Sequence, residues 1–342
     1  MNIKIEHFLE ESVNQNVFPG CCVAIIHNQI TDYYCVGNKS IYPCQEENRI
    51  DTLYDLASLS KVVGTTPAIL RLIQKGLLSY DTPIYTIIPE FLNRDITIFH
   101  LLTHTSGLPA DLSWGLDVTK NQMVQDISNV SSSCIPGQKV VYSDLGYILL
   151  GYIIESITKK SLDKLVKEEV LLPLDMYQTE YCPKEHIQCA PTEISPHFHQ
   201  LLRGQVHDRK AYIMNGVAGH AGLFSNVYDL EMYAKMILNY GKYKNQTFLE
   251  EQYIHDMFTN FSLEHQIPRG IGFLTYTPDS LFSSLNSIKT IAHTGFTGTS
   301  ILIDLQNQIA IIVLSNRVHP TRENTKILNW RREFHDFVME NI

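Results

Sequence analysis

The run Ser58-Leu-Ser-Lys61 holds two side chains that could do covalent chemistry together. A serine hydroxyl is a weak nucleophile at neutral pH and needs a neighbour to take its proton. A lysine can do so if desolvation and nearby positive charge lower its pKa. The surrounding stretch, Asp55 to Gly76, is apolar at helical spacing and stops at a glycine. Residues three apart share a helix face, so Ser58 Oγ and the Lys61 amine can meet. In the first turn of that helix the Ser58 N–H would lie outside the hydrogen-bond ladder and could bind an oxyanion. Serine, two residues and a lysine is a common pattern, so its meaning depends on what else the chain brings to it.

Other candidates follow in order. Tyr142 and Asp144 lie in Val140-Val-Tyr-Ser-Asp144, between a turn at Ile135-Pro-Gly-Gln138 and a long apolar helix from Leu145 to Ile157. Taken alone, Asp144 reads as a helix N-cap. His293-Thr-Gly295 falls within a strand-like run from Thr290 to Asp304. His104 reads as a hydrogen-bonded structural residue at a helix end. His197, His199, His207, Asp208 and His220 include a His-x-His pair that could chelate zinc, but they lack the HExxH-like order of a metalloprotease helix. No metal and no cofactor is therefore expected. The glycine-rich Gly216–Ser225 segment has no Gly-Lys-Ser/Thr ending and is not a nucleotide phosphate loop.

The elements that must position these residues show β character at both ends of the chain and helices between. An amphipathic helix over Met1–Asn14 precedes a hairpin: strand Cys21–His27, turn Asn28-Gln29, returning strand Ile30–Val36. Gly64 and Pro67 should bend or loosen the Ser58 helix early. Residues 119–130 and a stretch from about Val227 to Asn239 read as helices. Ile271–Tyr276, Thr290–Asp304 and Gln308–Asn316 read as strands, the last two a hairpin, and a helix over about Thr321–Glu340 follows. The expected fold class is α/β (α+β): a mixed antiparallel sheet flanked by terminal helices. Residues 1–56 and 262–342 form the sheet region, and 57–261 a mostly helical insertion with the active site at the boundary.

Composition excludes several classes. The chain has 342 residues, 44% hydrophobic and 18% charged, as in an ordinary globular protein. A net charge of −9 with no basic run argues against nucleic-acid partners and against attraction to anionic lipid. No apolar run reaches the length of a membrane span. The N-terminus lacks the pattern of a signal peptide, so the sequence as it stands reads as cytoplasmic, or as a cell-envelope protein if a leader has been removed. Seven scattered cysteines with no CxxC pair read as reduced thiols.

Ser58-Leu-Ser-Lys61, Tyr142-Ser-Asp144 and His293-Thr-Gly295 stand in the order that resembles the serine β-lactamase and penicillin-binding protein superfamily, with its Ser-x-x-Lys, Tyr-x-Asn and Lys/His-Thr-Gly motifs. The flanks Thr97–Pro109, Tyr142–Gly151 and Gly219–Ser225 resemble the class C branch of β-lactamases, D-alanyl-D-alanine carboxypeptidases and esterases, from about residue 5 to 338. The resemblance implies a β-lactamase/transpeptidase-like fold and a covalent acyl-enzyme on Ser58. Lys61 and Tyr142 would share the serine's proton, and the Ser58 and Phe296 backbone N–H groups would form the oxyanion hole. Asp144, His293, Thr294 and Gly295 would bind substrate. The implied substrate is a small ester, amide or peptidoglycan fragment, cleaved by a D-alanyl peptidase or an esterase. A catalytically weak ligand sensor is the competing reading, and β-lactamase action the least favoured. Asp144 stands where the family has asparagine, trading a donor for an acceptor-only carboxylate. His293 stands where lysine is common, making the positive charge there pH-dependent.

Overall fold

The computed structural model describes residues 2–263, 266–277 and 282–342. Its centre is β1 (Gly20–His27), buried along almost its whole length. Alternation divides this strand between two cores: Cys21, Val23 and Ile25 face one, and Cys22, Ala24 and Ile26 the other. β2 (Ile30–Ser40) returns alongside through Asn28 and Gln29, both at positive φ, which suits a tight hairpin turn. β3 (Glu46–Glu47) extends that edge. The short strands β4 (Tyr54–Asp55), β5 (Glu180–Tyr181) and β6 (Leu223–Ser225) form a separate small sheet, and β7 (Lys242–Tyr243) and β8 (Gln246–Thr247) a hairpin. The late strands β9 (Leu274–Thr275), β10 (Thr290–Thr294), β11 (Ser300–Asp304) and β12 (Ile309–Ser315) complete the main sheet. Its seven strands run in the order β3-β2-β1-β12-β11-β10-β9, with every pair antiparallel.

One face is covered by α1 (Ile3–Asn14) and the C-terminal helix Ile327–Asn341. Ile5 and Leu9 pack with Trp330, Phe334 and Val338 against Val23, Leu302 and Val313. Full burial of a residue such as Phe334 contributes roughly 2–3 kcal/mol. The Trp330 indole donates to Ser12 Oγ at 2.7 Å, joining the two helices. The opposite face meets helices supplied by the middle of the chain. These are α2 (Thr66–Gln74), α3 (Ile98–Leu102), α4 (Lys120–Ser128), α5 (Asp144–Thr158), α6 (Leu162–Val166), α7 (Arg209–Ile213), α8 (Val227–Leu238) and α9 (Glu251–Phe258), with the C-terminal helix as α10.

Several local readings are adjusted, and the strand expected over Thr290–Asp304 is itself a hairpin of β10 and β11. Ser143, not Asp144, is the N-cap of α5, and Asp144 is the first helical residue, which frees its carboxylate for the cleft. The strand expected over 271–276 is reduced to β9, and the last helix begins at Ile327 rather than Thr321. The loosening expected from Gly64 and Pro67 takes the form of a π-helical turn over Lys61–Thr65, ahead of α2 with Pro67 near its start. There the missing proline N–H interrupts no interior bond.

Candidate active site

Ser58 is held from both sides. Before it, Ala57 sits at a φ of 47°, which a non-glycine residue adopts only when its surroundings impose it. The Ala57 N–H donates to Asp55 Oδ1 at 2.8 Å, while Asp55 Oδ2 accepts from the His207 N–H at 2.7 Å. Thr297 and Thr299 donate their hydroxyls to the carbonyls of Asp55 and Leu56. The backbone comes so close here that a Cβ on Gly295 would lie 2.4 Å from the Leu56 carbonyl oxygen. The glycine of His293-Thr-Gly295 thus lets β10 lie against the nucleophile's own segment. Ser60 is not a rival nucleophile: it is buried, and its Oγ accepts the Leu223 N–H at 3.1 Å.

Lys61 is fully buried, and its ammonium faces three acceptors. Ser58 Oγ lies at 3.0 Å, the His220 carbonyl at 2.9 Å, and Asp144 Oδ1 at 2.8 Å as an ion pair. Burial alone would push this lysine down, but the charge of Asp144, helped by Tyr142, outweighs it and holds Lys61 above its ordinary value. The lowered lysine pKa expected from the sequence is therefore reversed. Asp144 is held well below the usual carboxylate range: burial would raise it, and Lys61, His220 and Lys210 overcome that. Its second oxygen takes Lys210 at 3.1 Å, and Lys210 also reaches Asp111 at 2.9 Å and Asp208 at 3.8 Å. Asp144 thus faces two ammonium groups rather than standing as a bare charge.

Tyr142 stands among two cations and two imidazole rings. The Lys61 ammonium lies 5.1 Å from its ring centre, the Arg269 guanidinium 5.2 Å, the His104 ring 4.5 Å and the His293 ring 6.1 Å. His104 is structural, as its place at the end of α3 suggested: its Nδ1 accepts the Ser143 N–H at 3.0 Å, fixing the loop that carries Tyr142. His293 is buried, with Nδ1 2.9 Å from the Thr294 carbonyl. Burial, then Arg269 and Lys61, push its pKa well below the ordinary histidine value, so it remains neutral near pH 7. The pH-dependent charge expected at His293 does not arise; the permanent charge there belongs to Arg269.

Arg269 is the residue that sequence reasoning missed. It is only 6% exposed, its Nε and Nη1 have no hydrogen-bond partner, and it pairs with no carboxylate among the described residues. It lines a cleft of about 460 Å³ with Ser58, Tyr142, His293, Thr294 and Phe296. A second lobe of about 390 Å³ shares Ser58, Tyr142 and Phe296 but is walled by Asp111, Asp144, Glu193 and Asp208. Neither the Ser58 nor the Phe296 backbone N–H has an acceptor among the described residues.

The histidines considered as zinc ligands do not gather. His207 pairs with Glu193 at 3.0 Å and stacks on Phe296 at 5.4 Å, while His220 meets Asp208 at 2.7 Å. Among the described residues the one grouping with metal-like spacing is Asp144, Asp208 and His220, and the Lys61 and Lys210 ammonium groups already lie against its carboxylates.

A buried lysine beside a serine whose preceding residue is strained, a tyrosine loop and a close-packed Thr-Gly strand edge meet at one cleft, and the chain belongs to the β-lactamase family, which it matches over residues 5–334. Among its relatives is the Escherichia coli (strain K12) protein named "Putative D-alanyl-D-alanine carboxypeptidase". It is 36% identical over 306 residues, covering 78% of this chain and 70% of the relative. The octameric penicillin-binding protein homologue from Pyrococcus abyssi is 25% identical, with a TM-score of 0.74, over 92% of this chain and 74% of that one. EstCE1, described as a hydrolase with promiscuous acyltransferase activity, shares the fold at a TM-score of 0.80 and 17% identity, over 96% of this chain and 97% of its own. No helix among the described residues is long and apolar enough to cross a membrane.

Proposed function

We propose that the chain is a serine hydrolase that forms a covalent acyl-enzyme on Ser58 and removes a C-terminal D-amino acid from a small, cell-wall-derived peptide. One observation carries the substrate side: a buried guanidinium with no carboxylate partner among the described residues, Arg269, lines the cleft beside Thr294. An arginine fork with free N–H groups matches a carboxylate. A peptide placing its terminal carboxylate on Arg269 and Thr294 would bring the preceding carbonyl towards Ser58. The D-alanyl-D-alanine carboxypeptidase name of the relatives supports the same substrate class.

The chemistry divides between a cation, Lys61, and a base, Tyr142. Lys61 already holds its proton for Asp144, His220 and Ser58, so Tyr142 as phenolate takes the Ser58 proton while the Lys61 and Arg269 charges stabilise that phenolate. The Ser58 oxygen bonds the carbonyl carbon, and the negative oxygen formed there is met by the Ser58 and Phe296 N–H groups. The tetrahedral species collapses as the C–N bond breaks and Tyr142 passes its proton to the leaving amine. Water then adds to the Ser58 ester through the same groups, releasing the acid and restoring the serine.

Intact-mass measurement after incubation with a penicillin, a p-nitrophenyl ester and a D-Ala-D-Ala peptide tests this reading. An adduct on Ser58 that disappears in Ser58→Ala, with release of D-alanine from the peptide, is the expected result. A chain that binds the peptide but never forms an adduct or releases D-alanine is a sensor, and the reading fails.

A further inference from the structure

The Arg269 side of the cleft carries more positive charge than one carboxylate neutralises. Arg317 and Arg331 line the same cleft, and neither pairs with a carboxylate among the described residues, whereas their neighbour Arg322 is bound to Glu193. Arg331 reaches the cleft from α10. It is 6% exposed, its Nη2 touches only the Thr299 carbonyl at 3.3 Å, and its Nε has no partner. Arg317 follows β12. Its Nε donates to the Phe296 carbonyl at 3.0 Å, and its Nη1 to the carbonyls of Arg322 and Asn324 at 2.9 and 2.8 Å. Its guanidinium also lies 4.6 Å from the Phe296 ring centre. Carbonyls fix these groups in place without cancelling their charge. Burial and, after it, the charge of Arg317 push Arg331 down to about 10, so the two guanidiniums repel each other. Buried like charges held by fixed dipoles gain most from an anion placed between them.

We propose that the cleft accepts a leaving group with two anionic groups, one carboxylate at Arg269 and Thr294 and a second at Arg317 and Arg331. This rests on the peptidase reading above and narrows it to peptides ending in an acidic D-residue, such as D-glutamate or D-aspartate. The acidic lobe is the poorer place for that second carboxylate: Asp111, Asp144, Glu193 and Asp208 wall it, against Arg209 and an Arg322 already bound to Glu193.

Calorimetry on Ser58→Ala with N-acetyl-D-alanyl-D-glutamate and N-acetyl-D-alanyl-D-alanine tests this without any turnover. The diacid should bind at least about tenfold more tightly at low salt, each charge-assisted contact being worth about that much or more. Adding Arg331→Gln should remove that preference, and Arg331→Lys, which keeps the charge, should retain part of it. Thermal melting of both variants separates lost binding from lost folding. Equal affinity for the two peptides in Ser58→Ala overturns the proposal, as does a preference that survives Arg331→Gln in a folded protein. Failure of the peptidase reading would appear separately, as wild-type chain that binds either peptide but never acylates.

Discussion

The two lobes that meet at Ser58 differ in how their charges close. In the acidic lobe every carboxylate is already answered: Asp144 by Lys61 and Lys210, Asp111 by Lys210, Asp208 by His220, Glu193 by Arg322 and His207. In the arginine lobe Arg269, Arg317 and Arg331 are held by carbonyls and rings, and none of the three is ion-paired with a carboxylate among the described residues. A lobe whose charges are balanced internally is organised before substrate arrives, which suits proton transfer. A lobe with charge left over is completed only by an anionic ligand, which suits selection of the leaving group.

The largest effect should come from breaking the balanced lobe at its edge. Ser58→Ala should lower kcat/KM by four orders of magnitude or so, and should still bind a D-Ala-D-Ala peptide because the arginine lobe is untouched. Loss of binding together with turnover would show that the lobes are not separable. Lys61→Ala and Tyr142→Phe should each be nearly as severe, and the double variant little worse than either, because one proton transfer needs both. Losses that multiply would mean the two groups act independently.

Arg269→Met should cost an anionic peptide about 30- to 100-fold in kcat/KM relative to a neutral ester of the same acyl group, the range of a charge-assisted hydrogen bond. Only the ratio is informative, since Arg269 also lies over Tyr142. An unchanged ratio would leave Arg269 as a partner of the tyrosine alone. For Asp144→Asn the direction follows from charge: removing the carboxylate lowers Lys61, so the limb of the kcat/KM profile that Lys61 sets should move to lower pH, by roughly one unit. Stability has its own sign. A carboxylate held below its ordinary value stabilises the fold above the unfolded carboxylate pKa and loses that contribution as pH falls through the folded one. Asp144→Asn should therefore melt lower at pH 7, with the gap closing below about pH 4. A profile and a melting curve that stay in place would remove Asp144 from control of Lys61.

The smallest effect is an absence of change. Between pH 5 and 8 the ratio of kcat/KM for matched anionic and neutral substrates should stay flat, because His293 remains neutral and Arg269 charged. A ratio that climbs below pH 7 would return the substrate-facing charge to His293.

Much of the fold was legible because it is written in periodicities. The apolar run Cys21–Ile26, the Asn28-Gln29 turn and the apolar face of residues 145–157 are local patterns, and the structure keeps them. Ser58, Lys61, Tyr142 and His293 were legible by type and order, and the fold brings them to one cleft. Their protonation states were not legible, since these depend on which charges meet across the chain. Nothing in the spacing says that Asp144 lies 2.8 Å from Lys61 or that Arg269 lies beside His293. The only local signal for Arg269 is a single arginine between Pro268 and Gly270 in an otherwise apolar run, Ile267 to Leu274. Arg317 and Arg331 carry still less, because one follows a strand and the other sits on a helix of mixed polarity.

The pairing of β1 with β12 governs how the protein comes into being on the ribosome. Residues 20–27 are made well before their central neighbour, residues 309–315, which lies on the far side of the whole helical middle of the chain. Until then the first hairpin has an open edge, and the Thr294–Phe296 segment has no seat against Leu56. Such distant pairing slows folding and leaves a sticky strand in need of protection during synthesis. A nascent chain in that state carries Ser58 and Lys61 before the Thr294–Phe296 segment has reached them, so the cleft is not assembled until β12 has been made.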